Sequence, residues 1–172
     1  MRNLFLLPLL MAVVVSCAKS PDDTIAPTDQ RFTLERTVCF GFCPIYQATV
    51  YADGRLVFTG ERYTQEIGEH EKQMPDGTFE RLVKIAEDHD FASFDARYPN
   101  EKGDNCGPVA TDMPSVNIAI KSAPLSHAVS LYQGCFEFDG RERFDAMVAE
   151  IDEVLALDDW VGEREQFYGT GK

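Results

Sequence analysis

The chain has 172 residues, of which 44% are hydrophobic and 26% charged, with 12 Phe among them. That is one domain's worth of chain with side chains enough for a core, which argues against global disorder and against collagen-like or coiled-coil architectures. Sixteen Lys and Arg against 29 Asp and Glu give a formal charge of −13; this speaks against a nucleic-acid binder and against docking on anionic lipid through a basic face.

Met1-Arg2-Asn3 is a short, positively charged start, and the apolar run 4–15 and then Ser16-Cys17 follow. The run is too short to cross a hydrocarbon core of about 30 Å as a helix but suits the apolar region of a signal peptide. Val14-Val15-Ser16-Cys17 resembles a bacterial lipobox, in which Cys17 is acylated and becomes the first residue of the mature protein. Ordinary cleavage at the small residues Ser16-Cys17-Ala18 is the alternative, and under either reading Cys17 takes no part in the fold. Ala18, where an Asp would signal inner-membrane retention, points to the outer membrane. Residues 18–30 carry two Pro and three Asp without apolar periodicity, a flexible tether reaching roughly 20 Å. The expected organisation is a lipoprotein signal peptide at 1–16, a lipid-anchored tether at 17–30, one domain at 31–165 and a tail at 166–172.

Within the domain, residues 32–38 alternate Phe32, Leu34 and Val38 with Thr33, Glu35 and Thr37, the period of a half-buried strand. Residues 45–51 and 56–60 are further strands separated by Asp53-Gly54, a pair suited to the positive φ of a tight hairpin turn. Residues 61–73 are polar and ambiguous, able to extend the third strand and cross the sheet. Pro75-Asp76 opens a helix, with Asp at or near the cap, and Phe79, Leu82, Val83 and Ala86 form its core face. His89-Asp90 ends it, and Phe91 and Phe94 pack back on the sheet. A Gly-, Pro- and Asp-rich loop, 100–114, leads to strands at 115–121 and 125–132, with Ala123-Pro124 as the turn between them. The last helix, about 141–155, places Phe144, Met147, Val148, Ile151 and Leu155 on one stripe, and Trp160 folds back as an anchor. The expected fold class is α+β, a single antiparallel sheet of about five strands with two amphipathic helices on one face, in the order β-β-β-α-β-β-α.

Setting Cys17 aside, Cys39, Cys43, Cys106 and Cys135 allow three pairings. In an extended strand the Cα atoms of Cys39 and Cys43 would lie about 13 Å apart, too far to bridge. A turn at Phe40-Gly41-Phe42 would bring them to about 6 Å, with Gly41 permitting it. The favoured set is Cys39–Cys43 with Cys106–Cys135. The spacing is wrong for a Cys-x-x-Cys redox pair at a helix start, and one close pair is too few for a four-Cys zinc site.

The run Leu34-Glu35-Arg36-Thr37-Val38-Cys39-Phe40-Gly41-Phe42-Cys43-Pro44-Ile45-Tyr46, with Tyr51-Ala52-Asp53-Gly54 after it, resembles the opening of a bacterial family known as domain of unknown function 6438. Phe79 and Leu82, Tyr98, Thr111-Asp112-Met113-Pro114-Ser115, Tyr132-Gln133-Gly134, Ile151-Asp152 and Trp160-Val161 continue the resemblance over most of residues 32–161. Cys106 and Cys135 depart from the family's common pattern. The resemblance implies an exported, often lipid-anchored α+β domain and no catalytic residue.

His70, His89 and His127 form no metal-binding spacing, and His127 reads as a sheet-edge or satisfied core histidine. Glu66, Glu69, His70 and Glu71 read as a solvated edge or loop. Asp104-Asn105 with Asp112 could offer oxygen ligands to a hard cation but lack the twelve-residue calcium pattern. In Asp112-Met113-Pro114, Asp112 is expected to accept backbone N–H bonds while Pro114 fixes the start of the strand. Phe40 and Phe42, crowded into a tight loop, are the expected contact for a partner. The sequence thus predicts no catalytic or metal-ligating residue and no cofactor. It predicts lipidation at Cys17 and a non-catalytic binding or scaffolding domain in the bacterial envelope, anchored in the outer membrane and facing the periplasm or the cell surface. Its partners would be the lipid membrane, through acylated Cys17, and an envelope protein or ligand of unknown identity. An envelope thiol-redox protein or a small-ligand or metal-binding module is the alternative.

Overall fold

The computed structural model describes residues 27–163; the signal-peptide reading, Cys17, most of the tether, residues 164–165 and the whole of the tail lie outside them. Strands β1 (Arg31–Arg36), β2 (Ile45–Tyr51), β3 (Arg55–Arg62) and β4 (Gly68–Gln73) precede helix α1 (Thr78–Asp88). The two-residue β5 (Arg97–Tyr98), then β6 (Ser115–Lys121), β7 (Ser126–Tyr132), α2 (Arg141–Leu155) and the one-turn α3 (Asp158–Val161) follow. The strands form one seven-stranded sheet in the order β4-β3-β2-β1-β6-β7-β5.

Seven strands, not about five, is the first correction. β4 pairs antiparallel with β3 through a sequence, Gly-Glu-His-Glu-Lys-Gln, that has no apolar alternation. Its charged side chains suit an edge strand, where they deter pairing with another chain. The second correction is direction: β5 lies parallel to β7, Arg97 against Ser130 and Tyr98 against Leu131, so the sheet is mixed.

β1 is the central strand. Phe32 faces Val50 on one side and Ile120 on the other, and Leu34 faces Ala48 and Ile118. Because side chains alternate, these buried residues share one face with Phe58, Val116 and Leu131. The opposite face carries Thr33, Glu35, Gln47, Asn117 and Ala119. α1 buries Phe79, Leu82, Val83, Ile85 and Ala86, and α2 buries Phe144, Met147, Ile151 and Leu155. The two helices contact one another and join the apolar sheet face in one core cluster.

Local expectations meet three adjustments. β1 ends at Arg36 and leaves Val38 60% exposed, because the Thr37 N–H already bonds the Ser115 carbonyl and the chain turns there. α1 starts at Thr78 after Gly77 at φ +80°, and Asp76 provides no cap. In the β2–β3 hairpin only Gly54 takes a positive φ, +82°, while the Asp53 carboxylate accepts the Arg55 N–H. Trp160 does fold back, its ring 5.3 Å from that of Phe58. His127 bonds the Phe94 carbonyl at 2.9 Å and meets Phe91 edge-on. No helix among the described residues is long and apolar enough to cross a membrane.

Candidate functional site

Both predicted disulfides are present, with Cα–Cα distances of 5.8 Å for Cys39–Cys43 and 5.7 Å for Cys106–Cys135. Gly41 closes the smaller loop at φ +146°, a conformation that suits a residue without Cβ. This loop joins β1 to β2, and the segment into β6, the segment out of β7 and the β3–β4 connection meet it at one pole of the sheet.

Hydrogen bonds sew these segments together. The Phe40 N–H donates to the Asp112 carbonyl at 3.1 Å, and the Gln133 N–H to the Pro114 carbonyl at 2.8 Å. The Met113 N–H donates to the Tyr132 hydroxyl at 3.0 Å, and the Ser115 N–H to Thr37 Oγ1 at 2.7 Å. From the helical layer, the Val161 carbonyl receives the Gln65 N–H at 3.1 Å. Asp112 departs from its expected role: its carboxylate accepts the Thr111 hydroxyl, not a backbone N–H, and its backbone takes φ +69°.

Between the Cys39–Cys43 loop and the 112–114 segment lies an open cleft of about 560 Å³ lined by Arg36, Phe40, Phe42, Asp112, Met113 and Gln133, among others. A smaller cavity of about 200 Å³ adjoins it, sharing Arg36, Cys43 and Pro114 and reaching Tyr46 and Val161. The larger volume lies in the lower half of the range of about 300–1,000 Å³ for small-molecule pockets, and the smaller lies below it. Phe40 is 87% exposed, whereas Phe42 is half-buried and set edge-on to Tyr63 with centroids 5.2 Å apart. Crowding in the five-residue loop leaves room to cover one ring and not both.

Beneath the cleft, Arg36 Nη2 donates to Asp152 Oδ2 at 2.6 Å, and Tyr46 hydrogen-bonds the same guanidinium. Burial works to lower the Arg36 pKa, but the charge of Asp152 and the bonds from Asp152 and Tyr46 outweigh it and hold Arg36 above its ordinary value. Burial raises the Tyr46 hydroxyl, with Arg36 opposing.

The other sequence candidates are dispersed. In the 100–114 loop, Asp104 accepts the Asn100 amide at 2.6 Å and Asn105 donates to Asp95 and to the Arg97 carbonyl. Among the described residues no three His, Cys, Asp or Glu side chains converge to hold a metal ion. His89 bonds Glu150 at 2.9 Å on the helical side. The sequence reading missed Gln133, Tyr63 and the Arg36–Asp152 pair as members of the site. The available signal was that three widely spaced segments carrying the family resemblance, 34–46, 111–115 and 132–134, are rich in turn-forming residues and flank predicted strands.

Residues 30–155 match the model of a family described as a domain of unknown function (DUF6438). No curated protein matches the chain.

Proposed function

We propose that this chain, which belongs to the DUF6438 family, is an exported envelope lipoprotein whose domain binds a partner through the cleft at its Cys39–Cys43 pole. The observation that carries this reading is the meeting of three family-like segments, 34–46, 111–115 and 132–134, around a cleft crowned by the exposed Phe40 ring. An aromatic ring left in water beside Met113, itself exposed, is apolar surface that a partner would cover. The location rests on the signal-like residues 1–16 and the lipobox-like run ending at Cys17.

The geometry of β1 supports a role away from the anchor. The tether joins the domain at Arg31, and the strand then runs about 17 Å to Arg36 before the cleft begins. A domain held by Cys17 would therefore present the cleft on the pole opposite its attachment. Envelope extracts cross-linked to the acylated protein test the reading. Phe40→Ala is expected to cut partner capture severalfold while leaving the melting temperature within about 1 °C, since the ring is exposed. Unchanged capture would overturn binding through this face, and an intact mass without a lipid adduct at Cys17 would overturn the anchor.

A thiol-redox role is the second reading, favoured by one observation: Cys39 and Cys43 both line the cleft. A partner thiolate would attack one sulfur, form a mixed disulfide and release the other as thiolate. Retention of full envelope function by a Cys39→Ser, Cys43→Ser protein would eliminate it.

A further inference from the structure

If the cleft binds a partner, as proposed above, its charges specify the chemistry of that partner. Among the described residues, two charged ones line the cleft. Arg36 is compensated by Asp152 at 2.6 Å. Asp112 is exposed, accepts the Thr111 hydroxyl at 3.0 Å and forms no ion pair among the described residues. Among the described residues the uncompensated charge of the cleft is therefore one carboxylate, set among Phe40, Phe42, Met113 and Pro114.

Ring and carboxylate spring from neighbouring backbone, since the Phe40 N–H donates to the Asp112 carbonyl at 3.1 Å. Elsewhere among the described residues four rings carry cations of their own chain: Arg55 over Tyr51 at 4.2 Å, Lys72 over Trp160 and Arg143 over Phe94, each at 4.8 Å, and Arg62 over Tyr63 at 5.1 Å. Phe40 carries neither a cation nor another ring among the described residues.

We infer that the cleft receives a basic side chain, Arg or Lys, of a partner polypeptide, with its charge on Asp112 and its stem or guanidinium plane on Phe40. The negative face of the ring and the carboxylate attract a cation together, and the apolar surroundings receive its methylene stem. An anionic group would meet Asp112 with the like charge, while the lining Arg36 is already held by Asp152. At longer range, a chain of formal charge −13 draws basic partners toward itself and repels acidic ones.

The test is a titration of the 15N-labelled full chain with blocked Gly/Ser peptides that carry a single central Arg, Lys, Glu or norleucine. Arg and Lys peptides are expected to shift the amide signals of Phe40, Gly41 and Asp112 saturably, with the effect shrinking as salt is added; Glu and norleucine peptides are expected to leave them in place. Asp112→Asn should weaken the Arg peptide at least fivefold without disturbing the fold, because Asn accepts a left-handed backbone as readily as Asp. Phe40→Leu keeps apolar bulk, loses the ring face and should cost about two- to fivefold. Equal shifts from Glu and Arg peptides, or undiminished affinity in a folded Asp112→Asn protein, would overturn the cationic assignment. The binding reading would survive that result if Phe40→Ala still lowered envelope capture, and would fall with it if capture were also unchanged.

Discussion

The Arg36 guanidinium donates to Asp152 Oδ2 at 2.6 Å, tying the last residue of β1 to α2 across 116 positions of the chain. The arginine side chain is 25% exposed and the aspartate 44%. Solvent therefore screens the pair, and its contribution lies well under that of a buried one. Asp152→Asn is expected to cost about 1 kcal/mol, a drop of roughly 3 °C in melting temperature for a domain of this size. A double-mutant cycle with Arg36→Met isolates the coupling; a value near zero would show the contact to be energetically idle.

Alkaline stability follows from two buried tyrosines. Burial raises the pKa of Tyr46, and likewise of Tyr98, above the ordinary value of 10.0. As pH passes that value the unfolded chain gives up phenol protons that the native chain still holds. Stability linked to these groups is thus fully present below about pH 10 and falls as pH rises beyond it. Urea unfolding at stepped pH should show a constant midpoint from about pH 7 to 9 and a decline above about 10. Tyr46→Phe should flatten the decline while losing the bond to Arg36; an identical slope in the variant would contradict the assignment.

The two disulfides should differ in what their loss costs. Chain-entropy reasoning gives about 2 kcal/mol for the five-residue loop of Cys39–Cys43 and about 3.5 kcal/mol for the thirty-residue loop of Cys106–Cys135. The second bridge also reinforces a seam where the Gly107 N–H donates to the Glu137 carbonyl and the Ala110 N–H to that of Gly134. Cys106→Ser with Cys135→Ser should therefore lower the denaturant midpoint more than Cys39→Ser with Cys43→Ser. The reverse order would mean that the small loop holds the pole together.

Gly134→Ala should destabilise the domain by about 2 kcal/mol or more. A Cβ at this position would collide with the Ala110 carbonyl oxygen and with the Tyr132 ring. The Tyr132 hydroxyl in turn accepts the Met113 N–H, so the damage should reach the cleft. Amide shift changes confined to residue 134 in the variant would contradict that coupling.

The sequence by itself determined what depends on neighbouring residues. Apolar spacing located β2 at Ile45–Tyr51 and both long helices, because one buried face imposes a period of 2 or 3.6 along the chain. The Cys39–Cys43 bridge was legible from the reach of five residues around Gly41, and the exposure of an aromatic ring, though not which one, from crowding in that loop. Tertiary structure decided the rest. Gly68–Gln73 becomes a strand because β3 offers it an unpaired edge, and Arg97–Tyr98 because β7 does; neither segment carries an apolar pattern of its own. The fold also decided which charges in the cleft count. Arg36 and Asp112 look alike as isolated charged residues in a string, but folding brings Asp152 onto Arg36 and no opposite charge onto Asp112 among the described residues. Charge compensation is a property of distance in space, and 116 positions of intervening chain hide it from sequence.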